Sequence, residues 1–234
     1  MVDKPGRRKK SKRPWGKITV VVVVALLVVA SAWYVYNTYI YQPPPVYAKL
    51  GTNFGYIDVE LFPSCAPKTV SNFVSLSNSG FYTNLVWHRI VDTPTPFVIQ
   101  TGDPNTRNGN TNRSSWGKGG SSQTVPLETC SWLHNYAGYL GMARQGNQTT
   151  GLDTGTSQFY IILSNDTATE SALDTYYTVF GKVISGMSVV CKIADVPINT
   201  SSFPEQPINP VFLKNVTIIS AATAPVPQPI VQCK

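Results

Sequence analysis

Charge is scarce in this chain. Only 13% of its 234 residues are Asp, Glu, Lys or Arg, and it has two histidines and four cysteines. The shortages exclude several kinds of chemistry. A Ser-His-Asp relay would have to use His88 or His134, and no G-x-S-x-G elbow is present. "CSWLH" sets Cys130 and His134 four apart, but two ligands do not make a zinc site without further partners. "LDTGTS", 152–157, carries the Asp-Thr-Gly of aspartic proteases in a single copy, whereas that chemistry needs two carboxylates sharing a proton. One copy would require a homodimer, and the preceding "GNQTTG" is not an apolar strand. "GKGG", 117–120, lacks a Walker spacing and reads as a turn. There is no internal repeat. No metal and no cofactor is expected.

The net charge of +7 is local. Residues 1–17 hold eight Lys/Arg against Asp3, 8 − 1 = +7, which leaves 19 − 8 = 11 positive and 12 − 1 = 11 negative residues for the remainder. A neutral remainder offers no phosphate-binding face, so no nucleic-acid partner is expected. The run "ITVVVVVALLVVASAWYVY", 18–36, follows without a charge. About twenty such residues cross a bilayer core, so a membrane-spanning helix is expected over 18–40. Trp33, Tyr34, Tyr36, Tyr39 and Tyr41 would form its aromatic belt, and the basic run would keep residues 1–17 cytoplasmic and the rest extracytoplasmic. The alternatives are a cleaved signal peptide, with "ASA" at 30–32 as a loose cleavage site, and a buried soluble helix, which the absence of a polar face disfavours.

An extracytoplasmic position permits disulfides. Cys65, Cys130, Cys191 and Cys233 allow three pairings, among which the sequence does not choose. N-x-[ST] sequons at Asn112, Asn147, Asn165, Asn199 and Asn215 fit an exported chain. "YQPPPV", 41–46, reads as a stiff linker and 223–234 as a proline-rich tail, leaving one domain over 47–222.

That domain reads as mainly β. Strands are expected on both sides of the turn at Gly51 to Gly55, then at "LVWHRIV", "PFVIQTG", "GYLGMAR", "TSQFYIIL", "YTVFGKVI" and "VFLKNVTIIS". "APKTVSNFVSLSNSG" reads as a helix, with Pro67 in its first turn, Val70, Phe73, Val74 and Leu76 as its apolar face, and Gly80 past its end. "GMSVVCKIA" reads as a helical turn. Many short strands with one good helix suggest a barrel rather than a βαβ sheet.

The blocks "LFPSCAPKTVSNFVSLSNSGFY", "FYTNLVWHRI", "FVIQTGDP", "GYLGMAR", "TSQFYIIL" and "YTVFGKVISGM" stand in the order and approximate spacing of the cyclophilins. The chain resembles that family of peptidyl-prolyl cis-trans isomerases over about 47 to 221. The resemblance implies a closed eight-stranded antiparallel barrel capped by helices. It implies rotation of Xaa-Pro bonds in exported or cell-surface proteins, with proline-containing polypeptides as partners. The same fold could instead serve as a non-catalytic proline-peptide-binding chaperone or scaffold, or as a structural surface protein.

The resemblance also assigns roles. Arg89 would be the catalytic arginine, and Gln100 would bind the substrate backbone and help hold it. Phe97, Val98, Phe159 and Leu173 would line the proline pocket, Ala143 and Arg144 its rim, and Tyr177 a position that is His in many members and Tyr in others. There are departures. A short insertion stands between Arg89 and Phe97. Val98 replaces a common Met, Arg144 a usual Asn and Tyr160 a usual Phe, which brings a hydroxyl to the pocket wall or floor. Ala172 stands where tight cyclosporin binders have Trp, so weak or no cyclosporin binding is expected.

Overall fold

The computed structural model describes residues 15–37, 43–92, 96–146, 150–165, 173–199, 201 and 205–233. The chain forms two units, Met1–Pro43 and Pro44–Lys234. The first contains helix α1 (Trp15–Val35). Among the described residues no helix is long and apolar enough to cross a membrane, which corrects the span expected over 18–40. The α-helix runs 21 residues and ends at Val35, short of the C-terminal bound expected for the span. Residues 38–42 lie outside the described residues.

The second unit runs β1 (Val46–Thr52), β2 (Gly55–Leu61), α2 (Pro67–Asn78), β3 (Leu85–Val86), β4 (Arg89–Val91), β5 (Val98–Thr101), β6 (Tyr139–Met142), β7 (Phe159–Ile162), β8 (Val179–Ser185), α3 (Met187–Ala194), β9 (Ile198–Asn199), β10 (Gln206–Pro207) and β11 (Phe212–Ile219). Nine strands form one antiparallel sheet in the order β3-β11-β1-β2-β8-β6-β7-β5-β4, and β9 and β10 pair separately. The sheet is open, which corrects the closed eight-stranded barrel. The physical reason lies in "LVWHRIV", expected as one strand. It splits at Trp87 and His88. The Trp87 N–H donates to the Val211 carbonyl (2.8 Å) on one side, and the His88 N–H to that of Gln100 (3.0 Å) on the other. β3 and β4 are therefore the two edges of the sheet, and among the described residues no ladder joins them.

One face of the sheet holds the core. Ile57, Val59, Ile90, Ile99, Phe159, Ile161 and Phe180 alternate inward along their strands, with Val70 and Phe73 from α2 and Val190 and Ile193 from α3 packed among them. Phe73 lies within 5.5 Å of the rings of Tyr82, Phe159 and Phe180. Helix α2 has no capping side chain of its own at Ala66. Its first N–H groups are taken by Glu128, whose carboxylate accepts from Lys68 (3.0 Å) and Thr69 (2.8 Å). The disulfide Cys65–Cys130 holds that carboxylate's loop beside the helix, and Cys191–Cys233 ties the C-terminal segment to α3.

Candidate active site

The site lies on the other face of the same strands. Period-two alternation sends Ile90, Ile99, Phe159 and Ile161 into the core, and it turns Arg89, Val91, Val98, Gln100, Tyr160 and Ile162 outward. Register then aligns them. Arg89 pairs with Gln100, Gln100 with Tyr160, and Tyr160 with Gly141, forming one polar rung across four strands. The neighbouring rung, Val91, Val98 and Ile162, is apolar. Val98, Tyr160, Ile162 and Leu173 form a buried cluster, with Val91, Phe97, Ala143 and Tyr177 packed against it. The result is an apolar notch beside a cation on an edge strand.

Of the residues singled out in the sequence, Phe97, Val98, Ala143, Tyr160, Leu173 and Tyr177 come together at the notch, and Arg89 and Gln100 stand on its polar rung. Phe159 does not join them. It points into the main core, within 6.0 Å of the Trp87 ring, because it is one residue out of phase with Tyr160. Arg144 stacks on Tyr177 (4.6 Å to the ring) and donates from Nε to the Tyr176 carbonyl (2.7 Å). Residues 93–95 of the insertion and Ala172 lie outside the described residues.

Gln100 faces Arg89 across the ladder, but its amide donates to Gln158 Oε1 (2.8 Å). Gln158 in turn donates to the carbonyls of Gly117 (3.1 Å) and Gly119 (2.6 Å). Asp103 anchors the same turn, and a Cβ on Gly119 would come within 2.2 Å of its carboxylate. The charged neighbour of Arg89 is Glu205, 3.7 Å from Nε, an ion-pair distance too long for a hydrogen bond. Burial lowers the Arg89 pKa, and Glu205 and Tyr177 oppose that. A guanidinium stays charged through such a shift. Behind it His88 is fully buried, and burial pulls its pKa down to about 4 against the opposing field of Asp103.

Tyr160 brings its hydroxyl to the floor rather than into the notch. It donates to Asn135 Oδ1 (3.1 Å), and burial raises its pKa. The ring needs Gly141, since a Cβ there would lie 2.0 Å from Tyr160 Cζ. Glu205, Ile162 and Asn135 escaped the sequence reading. Alternation from Tyr160 could have found Ile162, but nothing local announces the other two.

A guanidinium thus stands at the rim of an apolar notch, on the face of the open β-sheet opposite the core. The family model for cyclophilin type peptidyl-prolyl cis-trans isomerases matches residues 47–221. The chain belongs to that family. It is 36% identical over 170 residues to human peptidyl-prolyl cis-trans isomerase-like 3, covering 72% of this chain and 93% of the relative. A Rhizopus delemar peptidyl-prolyl cis-trans isomerase-like 2 is 37% identical over 166 residues, 69% of this chain, but the chain spans only 27% of that protein's length. The crystal structure of a Cryptosporidium parvum cyclophilin type peptidyl-prolyl cis-trans isomerase superposes with a TM-score of 0.63 at 30% identity, over 76% of this chain and 99% of that one.

Proposed function

We propose that the notch receives the proline ring of client chains and that Arg89 accelerates rotation of the preceding amide. That rotation faces a barrier of about 18–20 kcal/mol because the planar amide has partial double-bond character. No bond breaks. As the amide twists, its nitrogen regains a lone pair that can accept a hydrogen bond. A guanidinium fixed beside the apolar slot stabilises that twisted state more than the planar one, and such a difference in binding is catalysis. Juxtaposition of Arg89 with the Val98, Tyr160, Ile162 and Leu173 cluster carries this reading.

The compartment belongs to the proposal too. All four cysteines are paired, which favours clients in an oxidising, extracytoplasmic setting. Protease-coupled isomerisation of Xaa-Pro peptides by the full chain tests the activity. Arg89→Ala should lower kcat/KM by about 100- to 1,000-fold, the cost of one preorganised donor. Equal rates for wild type and variant would remove the enzymatic reading.

A further inference from the structure

A second cavity, about 520 Å³ in volume, lies across Tyr177 from the notch. Leu133, Val179, Tyr177 and the Cys130 end of the disulfide furnish its apolar walls, and His134 and Thr175 stand among its polar groups. That volume is within the ~300–1,000 Å³ of small-ligand sites. Tyr177 is the shared partition: it packs against the notch cluster and also lines the cavity.

We propose that this cavity is a second subsite for the same client chain, taking a large apolar or aromatic side chain about two residues from the proline. The inference rests on the isomerase reading above. Three observations support it. The cavity adjoins the notch across Tyr177, so a client chain seated in the notch runs beside it. An extended chain advances ~3.3–3.6 Å per residue, so one tyrosine ring is crossed in about two residues. The cavity is also preformed, because its two flanking segments are tied together. Asp174 accepts from the Asn135 N–H (2.8 Å) and from Asn135 Nδ2 (2.7 Å), and it meets His134 Nδ1 at 2.6 Å. Burial would raise the Asp174 pKa, but those hydrogen bonds outweigh it and hold the carboxyl below its usual range. The tie thus stays ionised at neutral pH, and little ordering cost is left for the client. The other cavity flanking the notch, about 70 Å³ and lined by Gln100, Arg144 and Gln158, is too small and too polar for this role.

Two-dimensional NMR exchange on the full chain tests the subsite. Peptides carrying one Xaa-Pro bond would have Trp, Phe, Leu, Ala or Asp placed in turn at each of the three positions on either side. Trp or Phe at one position, about two residues from the proline, should raise kcat/KM roughly tenfold over Ala there, and Asp should give no gain. Ser131→Trp and Thr129→Trp place a ring in the cavity from two exposed positions, so a folding failure in one leaves the other. In either variant the Trp-to-Ala ratio should fall to about one. A flat preference at every position, or a ratio that survives both fillings, overturns the subsite while leaving the isomerase reading intact. If no peptide is turned over, the isomerase reading falls. The subsite is then judged by Kd values for the same peptides, where a tenfold Trp-over-Ala advantage lost on filling supports it and equal values overturn it.

Discussion

Gly141 shows how one missing side chain shapes the notch. Tyr160 occupies the space a Cβ would need, with Cζ only 2.0 Å from that position. Gly141→Ala must therefore displace the ring and break its bond to Asn135. Overpacking costs about 1–3 kcal/mol, and an unmade buried hydrogen bond about as much again. We expect Gly141→Ala to lose at least 2 kcal/mol of unfolding free energy in urea and to raise KM for Xaa-Pro peptides, because the notch floor moves. An unchanged KM would show that the floor is not held this way. His88 gives a second residue-scale expectation. Its folded pKa of about 4 lies below the ordinary 6.5, so the unfolded chain binds a proton first as pH falls. Stability is fully present above about pH 6.5 and is lost on the way down to about 4, by roughly 3 kcal/mol in total. About half of that loss falls between pH 6.5 and 5, where ordinary carboxylates stay ionised. Urea unfolding across this interval should show the slope in the wild type and lose most of it in His88→Gln. A flat profile would mean that His88 is charged or hydrated in the native state.

Among the elements, α2 depends on a residue outside itself. The helix was legible from Pro67, its apolar face and Gly80, all within one window of sequence. Its cap was not, because Glu128 lies 59 residues beyond Thr69 and no local signal links them. The same distinction separates what could be read of the site from what could not. Arg89, Gln100, Val98 and Tyr160 stand in short motifs that keep their order, so the resemblance carried them. Glu205 and Asn135 reach the site only through the fold. Phe159 was misplaced by a single step of strand alternation, which a motif of adjacent aromatics does not resolve. The split of "LVWHRIV" into β3 and β4 was hidden for a related reason: seven strand-forming residues look alike whether they serve one ladder or two. For α2 the expected outcome is that Glu128→Gln costs about 1–2 kcal/mol of stability, in line with loss of a charged cap at a helix N-terminus. Thermal unfolding of the variant measures it. Since Cys65–Cys130 positions the same loop, the loss should be smaller once that bridge is removed, and simple additivity would argue against the coupling.

At the scale of the whole domain, the two bridges do different work. Cys65–Cys130 closes 65 residues around α2 and the loop bearing Glu128, on the border of the second cavity. Cys191–Cys233 closes 42 residues and straps the C-terminal segment over α3. That segment was expected to be an extended tail, yet the Gln228 N–H donates to Ile184 (2.7 Å), the Cys233 N–H to Leu163 (3.0 Å), and Gln232 accepts from the Asn165 N–H (2.9 Å). Asn165 accepts in turn from the N–H of Ala137 (2.7 Å), just beyond β7 and just before β6. Loop-closure entropy makes each bridge worth about 4 kcal/mol against the unfolded chain. Where the two should differ is in catalysis. Cys191→Ala with Cys233→Ala frees a strap whose hydrogen bonds go to Ile184, Leu163 and Asn165 rather than to Arg89 or the notch cluster, so stability should fall by about 2–4 kcal/mol with kcat/KM within about twofold of wild type. Cys65→Ala with Cys130→Ala loosens the loop that forms one side of the second cavity. It should lose comparable stability and, in addition, the preference for an aromatic residue near the proline. Urea unfolding and peptide exchange rates on both double variants separate these outcomes. Equal catalytic effects from the two would show that the bridges act only through global stability.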